Sequence, residues 1–437
     1  MIDVAAQQQA QGLLKFIDDS PSPWHAVASM TTRLEEAGFH RLYESDSWSL
    51  QTQQRYYVIR DDSSIIAFTT GQGPVSEQGF SMIGAHTDSP GFRVKPNAES
   101  SSGGYQRLGV EIYGGPILAT FTDRDLSVAG RVSYQTNAGP HSQLVHFPQP
   151  LLRLPNLAIH MNRGVNEEGL KLHKQKELPL LLSVSPDSSP EHSAFVRLLA
   201  DQLEVDPKQI LAWDLAVCDT QPGAVFGMQQ EFIANSQLDN LASCHAALTA
   251  LLSDPGQPTG FNVCACFDHE EIGSLSNQGA DGSFLGDVLQ RICDGLEPGQ
   301  EAFKRACVQS FLISADMAHA YQPNFPEAYE PDHHVLVNKG PVIKRNANQR
   351  YASDSASEAH FIACCERAGV PFQRYTHRNE IPCGGTIGPM TSARLGIPTV
   401  DVGNPMWAMH SLRESAGVLD HSYMTQVMQQ FYFPATS

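Results

Sequence analysis

The sequence is poor in basic residues and has no spacing that would pair its cysteines. It contains 29 lysines and arginines against 47 aspartates and glutamates, which gives a formal net charge of -18 at pH 7. A chain this acidic is repelled by phosphate backbones and by anionic lipids, so we expect neither nucleic acid nor a membrane surface as a partner. The nine cysteines show no C-x-x-C spacing. This argues against a cysteine-ligated zinc site and against a disulfide framework.

Long apolar runs are also missing. No stretch approaches the roughly 20 apolar residues that a membrane-spanning helix requires. The first residues lack the basic segment and apolar run of a signal peptide, so we expect none. Buried, reduced cysteines are typical of cytosolic proteins, and we predict a cytoplasmic location.

The apolar content is nevertheless sufficient for a large core. Hydrophobic residues make up 41% of the positions. The length of 437 residues predicts two domains or one large domain that carries an insertion. From about residue 236 onward helical and strand-like patterns alternate, for example a helical pattern over 239–254 and an apolar run over 261–268. Such alternation predicts an α/β fold with a mostly parallel sheet and helices on both faces.

The middle of the chain has a different pattern. Residues 94–235 show short strand-like segments separated by Gly, Asn and Pro, with few helical patterns. We interpret them as a β-rich domain inserted into the α/β domain. The predicted division is therefore 1–93 for the first part of the catalytic domain, 94–235 for the insertion and 236–437 for the second part.

Histidine and acidic side chains stand where the predicted strands end. They are His86 and Asp88 in GAHTDS, Asp239 in NSQLDN, Glu270 and Glu271 in FDHEEIGS, Asp316 in SADMAH, and His410 in AMHS. In an open α/β sheet, sites form at the carboxyl ends of the strands. Imidazole together with several carboxylates suits more than one ion of zinc, manganese or cobalt. The pattern therefore predicts a site for two divalent ions, which need a bridging carboxylate because a shared anion offsets their repulsion.

The two adjacent glutamates are expected to have different roles. Neighbouring side chains at a strand end point in different directions, so Glu271 can ligate a metal while Glu270 stays free as a general base. In the His-x-Asp segment, Asp88 lies on the same side of the strand as His86 and can orient the imidazole or its metal.

The chain resembles the aspartyl aminopeptidases, a family of co-catalytic zinc metalloaminopeptidases, nearly from end to end. The matching segments are FIDDSPSPWHAV (16–27), GAHTDSPGFRVKP (84–96), TDRDLSVAGRV (122–132), LAIHMNR (157–163), LDNLAS (238–243), DHEEIGS (268–274), SADMAHAYQPNFPEAYEP (314–331), NQRYAS (348–353), CGGTIGPM (383–390) and MHSLRES (409–415). Taken together and in this order, the segments are highly specific.

The resemblance implies a role for each matching position. It implies two divalent ions per subunit, with zinc expected and cobalt or manganese as alternatives. The implied metal ligands are His86, Asp239, Glu271, Asp316 and His410, with Asp239 bridging. Glu270 is the implied catalytic base, and Asp88 is the implied catalytic acid that supports the His86 side of the site. His160, in the inserted domain, is expected either to ligate metal or to bind substrate in a neighbouring subunit across a dimer interface.

An acidic substrate side chain needs a cation in the pocket that receives it, because a buried carboxylate without a partner is costly. Lys344, in GPVIKRNANQRYAS, stands at the family position expected to supply that charge, and Tyr351 can add a hydroxyl donor. The adjacent Arg345 is the competing candidate.

The expected reaction is metal-dependent hydrolysis of the first peptide bond, preferably after Asp or Glu, with Glu270 as the general base. A neutral, leucine-preferring aminopeptidase on the same scaffold is the first alternative. A deacylase or carboxypeptidase, and a non-catalytic assembly protein, are more distant ones. The resemblance also implies a homo-oligomer, a tetrahedral dodecamer built from dimers, that acts on peptides with a free N-terminus.

Overall fold

The computed structural model describes residues 2–185, 193–253 and 256–434. The strands in these residues are β1 (His40–Leu42), β2 (Arg55–Arg60), β3 (Ser64–Thr69), β4 (Ser81–His86), β5 (Gly91–Ser102), β6 (Tyr105–Tyr113), β7 (Leu126–Thr136), β8 (Gly139–His146), β9 (Leu180–Val184), β10 (Ile210–Asp219), β11 (Ala224–Phe226), β12 (Phe232–Asn235), β13 (Asn262–Phe267), β14 (Phe311–Ala315), β15 (Ala318–His319), β16 (Val342–Arg345), β17 (Gln373–Thr376), β18 (Thr399–Gly403), β19 (Pro405–Trp407) and β20 (Glu414–Gly417).

The helices are α1 (Val4–Asp18), α2 (Pro23–Glu36), α3 (Val75–Gln78), α4 (Val165–Glu168), α5 (Ala194–Leu203), α6 (Leu238–Leu252), α7 (Phe284–Leu296), α8 (Gln300–Gln309), α9 (Ser355–Ala368), α10 (Ile387–Leu395) and α11 (Val418–Tyr432). Short 3-10 turns cover Leu118–Phe121, Pro207–Gln209, Glu270–Ile272 and Pro326–Ala328.

A nine-stranded sheet forms the centre of the molecule, in the order β1-β2-β3-β13-β4-β14-β18-β16-β17. Five neighbouring pairs run parallel, namely β1–β2, β13–β4, β4–β14, β14–β18 and β16–β17. The remaining pairs, β2–β3, β3–β13 and β16–β18, are antiparallel. The sheet is therefore mostly parallel.

Helices cover both faces of this sheet. In β3, Ile65 and Ala67 pack with α1, α2, α6, α9 and α11, whereas Ile66 and Phe68 pack with α7 and α8 on the other side. This alternation follows from the strand geometry, in which successive side chains point to opposite faces. The predicted fold class, an α/β catalytic domain with a mostly parallel sheet and helices on both faces plus a β-rich insertion, is confirmed.

The strands from Gly91 to Asp219 form a second, antiparallel sheet in the order β8-β7-β10-β5-β6-β9. Its side chains build a separate core with α5, in which Phe92, Leu108 and Val128 pack beside Phe195 and Leu199. Several of its strands are long, since β5 has 12 residues and β7 has 11. The predicted domain boundaries at 93/94 and 235/236 stay a prediction.

A third, smaller sheet has the strand order β11-β12-β20-β19-β15. It is built from segments far apart in sequence, because β12 pairs with β20, where Asn235 is opposite Glu414. β12 leads directly into α6, and the turn between β19 and β20 carries His410. The small sheet thus brings two of the predicted ligand segments together.

None of the helices in the described ranges is long and apolar enough to cross a membrane. All nine cysteines are free thiols, and all but Cys383 are buried.

Candidate metal centre

Three of the predicted ligand segments follow neighbouring strands of the central sheet. β13, β4 and β14 lie side by side and parallel. His86 is the last residue of β4, Asp316 directly follows β14, and Glu270 and Glu271 open the 3-10 turn after β13. The carboxyl ends of parallel strands meet at one edge of the sheet, so these side chains converge there.

The other two predicted ligands arrive from outside the central sheet. Asp239 is in the first turn of α6, and His410 lies in the turn between β19 and β20. The His410 imidazole is oriented by a contact of 3.0 Å between its Nδ1 and the carbonyl oxygen of Gly115. Gly115 follows β6, so the inserted sheet also helps to hold this ligand.

Asp239 is the centre of the cluster. Its Oδ1 lies 3.5 Å from Nε2 of His86, and its Oδ2 lies 3.6 Å from Nε2 of His410. Oδ1 of Asp316 is 3.6 Å from the same His86 nitrogen, and Oε2 of Glu271 is 3.4 Å from the same His410 nitrogen. Two three-residue groups result, His86–Asp239–Asp316 and Asp239–Glu271–His410, and they share Asp239.

The chemistry of these groups fits two divalent cations. Asp239 Oδ1 is buried and has no hydrogen-bond partner among the described residues. Burial, reinforced by the Asp316 charge, raises the pKa of Asp239, and burial with the Asp239 charge raises the pKa of Glu271 well above its usual value. Burial would lower the pKa of His86, but close contacts with acidic neighbours, led by Asp239, raise it well above its usual value. Raised pKa values show that it is costly to ionise these buried carboxylates side by side. Bound metal ions would offset that cost with positive charge.

Asp88 fixes the turn that carries both glutamates. Its Oδ1 accepts the backbone N–H of Glu270 and its Oδ2 accepts that of Glu271, both at 3.1 Å. The Tyr113 hydroxyl donates to Oδ2 at 2.7 Å, and Nδ1 of His86 lies 3.3 Å from Oδ1. Burial alone would raise the pKa of Asp88, but its contacts with His86 and Tyr113 hold the pKa below its usual value. Asp88 is therefore an ionised acceptor at the back of the site.

Glu270 lies beside the two groups that share Asp239. Its Oε2 is 3.9 Å from Nε2 of His86, and it forms a further candidate group with His86 and Glu271. Burial raises its pKa to about 8, an effect that His86 opposes and the Asp316 charge reinforces.

Lys344 is buried and already engaged. It lies in β16 with 2% of its surface exposed. Its Nζ is 3.3 Å from Oδ2 of Asp316, donates to the Met317 carbonyl oxygen at 3.1 Å and lies 5.1 Å from the centre of the Tyr351 ring. The competing Arg345 instead pairs with Glu358 at 3.2 Å.

An open pocket of about 430 Å³ adjoins the cluster. It is lined by Asp239, Glu270, Glu271, Gly273, Asp316, Met317, His319, Lys344, Arg350, Tyr351, Gly384, Gly385, Thr386, Met390, Met409 and His410. Arg350 is an exposed cation that makes no ion pair within the described ranges. A substrate could therefore reach the ligands and two cationic side chains from the same side.

His160 is not brought into this cluster within one subunit. It is exposed, and the candidate metal groups of the described residues do not include it. Its neighbours Leu157, Ile159 and Met161 are 67%, 47% and 76% exposed, so the segment presents an apolar surface to its surroundings.

Sequence reasoning missed three side chains at the site, namely Tyr113, Arg350 and Glu414. Arg350 lies within the matching segment NQRYAS and Glu414 within MHSLRES, so a signal existed for both. Tyr113 reaches Asp88 from the inserted sheet, and nothing in the local sequence connects the two.

Comparison with known proteins places this geometry in a family. Residues 16–432 match the family model described as aminopeptidase I zinc metalloprotease (M18). A probable M18 family aminopeptidase 2 of Pseudomonas aeruginosa is 46% identical over 427 residues, which cover 97% of this chain and 97% of the relative. The probable M18 family aminopeptidase 2 of Azotobacter vinelandii is 47% identical over 427 residues.

Solved structures show the same likeness. The structure of the Ape4 and Nbr1 complex includes a chain that matches with a TM-score of 0.94 and 38% identity, over 98% of this chain and 86% of that one. The S. cerevisiae mApe1 dodecamer matches with a TM-score of 0.85 and 28% identity, over 97% of this chain and 96% of that one. The likeness extends over 97–98% of this chain and is not limited to the ligand segments.

Proposed function

The chain belongs to the M18 family of zinc metalloproteases and is a metalloaminopeptidase, and from this premise we propose that it removes N-terminal Asp or Glu from peptides. The shared position of Asp239 supports the metal-dependent part of this proposal. Its two carboxylate oxygens face two different histidines at 3.5 and 3.6 Å. A carboxylate shared in this way, with one histidine and one further acid on each side, would suit two divalent ions.

We propose that two divalent ions are held in this way, zinc in the first place and cobalt or manganese as alternatives. His86, Asp239 and Asp316 would hold one ion, and Asp239, Glu271 and His410 the other. When bound, such ions polarise a scissile carbonyl and lower the pKa of the attacking water.

The chain's own groups then carry the proton. Glu270 lines the pocket beside the ligands, where its carboxylate can take a proton from the attacking water and deliver it to the leaving amine. Its backbone N–H is fixed by Asp88, which also fixes that of Glu271. The base and the ligand next to it are therefore held as one unit, and Asp88 with Tyr113 keeps that unit in place.

Acidic specificity is proposed to come from Lys344, with Tyr351 beside it. A protonated lysine has three donors. Two of them face Asp316 and the Met317 carbonyl oxygen, which leaves one for the side-chain carboxylate of a substrate. A leucine-preferring enzyme remains the second candidate, because Met317, Met390 and Met409 line the same pocket and offer an apolar wall.

The proposal extends to assembly. The exposed segment around His160 carries three large apolar side chains, as an intersubunit contact would. We propose a dimer in which His160 reaches the neighbouring site and binds substrate or metal there, and a tetrahedral dodecamer built from such dimers. A cytoplasmic location remains a prediction, to be tested by fractionation of cells.

Glu270→Gln tests the proposed mechanism. The amide keeps the shape of the side chain but cannot take a proton, so kcat should fall by roughly 10²–10⁴-fold. The metal content should remain that of the wild type, because Glu270 is outside both groups that share Asp239. Glu301→Gln, an exposed position at the start of α8, is the matched control and should behave as wild type. Retained turnover in Glu270→Gln would remove Glu270 as the base, and loss of metal would make it a ligand.

A further inference from the structure

A buried carboxylate outside the proposed ligand set joins two of the ligand segments. Glu414, the first residue of β20, is 2% exposed. Its Oε2 accepts the backbone N–H of Asp239 at 3.0 Å, and its Oε1 accepts the backbone N–H of His410 at 2.7 Å. One side chain therefore holds two segments that are far apart in the sequence.

The segment that carries His410 has a backbone conformation that needs such support. His410 has a φ of 69°, in the left-handed region that residues other than glycine rarely adopt. Asp239 stands in the first turn of α6 with φ −84° and ψ 104°, which is not helical. The Asp239 N–H donates to the Glu414 carboxylate, which lies near the positive N-terminal end of the α6 dipole and is stabilised by it. A left-handed residue other than glycine persists only where its surroundings determine it, and at His410 the Glu414 carboxylate is part of those surroundings.

The third sheet sets the position of Glu414 itself. Glu414 is opposite Asn235 in the β12–β20 pair, and β12 is the strand that leads into α6. Met406 of β19 is opposite Ala416 of β20, which fixes the other side of the turn that carries His410. The carboxylate is thus anchored between the two strands from which the ligand segments emerge.

We propose that Glu414 is a positioning residue that sets the distance between Asp239 and His410, and through it the affinity of the ion site that they form with Glu271. The inference rests on the proposed function, which assigns these residues as ligands. Glu414 does not line the substrate pocket, so its effect passes through the backbone of the two ligands.

Glu414→Gln tests this role. The amide has the same shape but places a donor where one of the two backbone N–H groups needs an acceptor, so one of the two bonds is lost. The affinity for one of the two ions should fall by about 10–100-fold, as is typical when a group that orients a metal ligand is changed. Equilibrium dialysis against buffered zinc gives the two affinities, and the absorption spectrum of the cobalt-loaded protein reports the ligand geometry. Wild-type affinities together with an unchanged cobalt spectrum would overturn the inference.

Asp420→Asn is the matched control. Asp420 is buried and accepts the backbone N–H groups of Asn338 and Gly340, and it belongs to none of the candidate metal groups of the described residues. Loss of stability alone would lower Tm in both variants, whereas only Glu414→Gln should weaken metal binding. Equal weakening in both variants would show that Glu414 has no specific positioning role.

One further measurement keeps the inference testable if Glu414→Gln does not fold. In the metal-loaded wild type, the amide hydrogens of Asp239 and His410 should exchange slowly with solvent, and exchange at the rate of exposed amides would contradict the proposed bonds. His410→Ala distinguishes a failure of the ligand assignment from a failure of the role of Glu414. If it retains both ions, the ligand assignment fails, whereas if it loses one while Glu414→Gln retains both, only the role of Glu414 fails.

Discussion

The most informative single change at the back of the site is Asp88→Asn. Asp88 accepts the backbone N–H groups of Glu270 and Glu271 and the hydroxyl of Tyr113. An asparagine of the same shape has one oxygen and one NH₂ group. Whichever way it is oriented, at least one of the two glutamate N–H groups faces a donor and is left buried without an acceptor.

The expected loss follows from these contacts. A hydrogen bond to a charged acceptor contributes about 1.5–3 kcal/mol, and an unsatisfied buried donor costs about 1–3 kcal/mol. One such bond is lost, so Asp88→Asn should lower the free energy of unfolding by roughly 1.5–3 kcal/mol. Because the turn that carries Glu270 and Glu271 is loosened as well, kcat/KM should fall by about 10–100-fold.

The assay combines thermal unfolding of the metal-loaded protein with steady-state kinetics on an aspartyl substrate. Tyr113→Phe is the control, because it removes the 2.7 Å hydroxyl bond and leaves both glutamate N–H groups with their acceptors. It should cost about 1 kcal/mol and less than 10-fold in kcat/KM. If Asp88→Asn matched Tyr113→Phe in both measurements, the turn would not depend on Asp88.

Three other predictions concern specificity, charge and assembly. Lys344→Met should lower kcat/KM on Asp and Glu substrates far more than on Leu substrates. Arg345→Gln is the control and should leave the ratio of acidic to Leu kcat/KM unchanged, because the Arg345 guanidinium pairs with Glu358 outside the pocket. An equal loss on all substrates would make Lys344 structural. The metal-free protein should lose stability as pH rises from about 4.5 to 8. The pKa of Glu270 is raised to about 8, so the folded state keeps a proton that the unfolded state releases. The pKa of His86 is also raised, so its stabilising charge is lost only as pH rises through that raised value. Saturating zinc should abolish the slope in chemical denaturation. Mixed oligomers of His160→Ala and Glu270→Gln subunits should regain activity if His160 completes a neighbouring site, and no regain would argue against that contact.

Much of the fold could be predicted because local patterns and global architecture agree. The helical pattern over 239–254 corresponds to α6, which spans Leu238–Leu252. The apolar run over 261–268 forms the buried strand β13. The pairing of β12 with β20 could not be predicted, since it joins short strands that are far apart in the sequence and that no turn connects.

In the candidate site, too, residues beside strands with clear local patterns could be predicted, and contacts between distant segments could not. His86, Asp316, Glu270 and Glu271 stand beside strands with clear patterns, so their convergence follows from the topology of a parallel sheet. Glu414 acts on the backbone of other segments, and its role depends on a strand register that local sequence does not encode. The contact between Lys344 and Asp316 could likewise not be predicted, because the residue type indicates a cation but not which acid it contacts.

One measurement tests the central claim directly, namely kcat/KM on Asp-, Glu- and Leu-amides with metal content determined on the same sample. We expect two divalent ions per subunit, activity that is lost on chelation and restored by zinc, cobalt or manganese, and a clear preference for the acidic substrates. A protein with two ions and a preference for Leu would contradict the proposed specificity. Hydrolysis that persists after complete removal of metal would contradict the account as a whole.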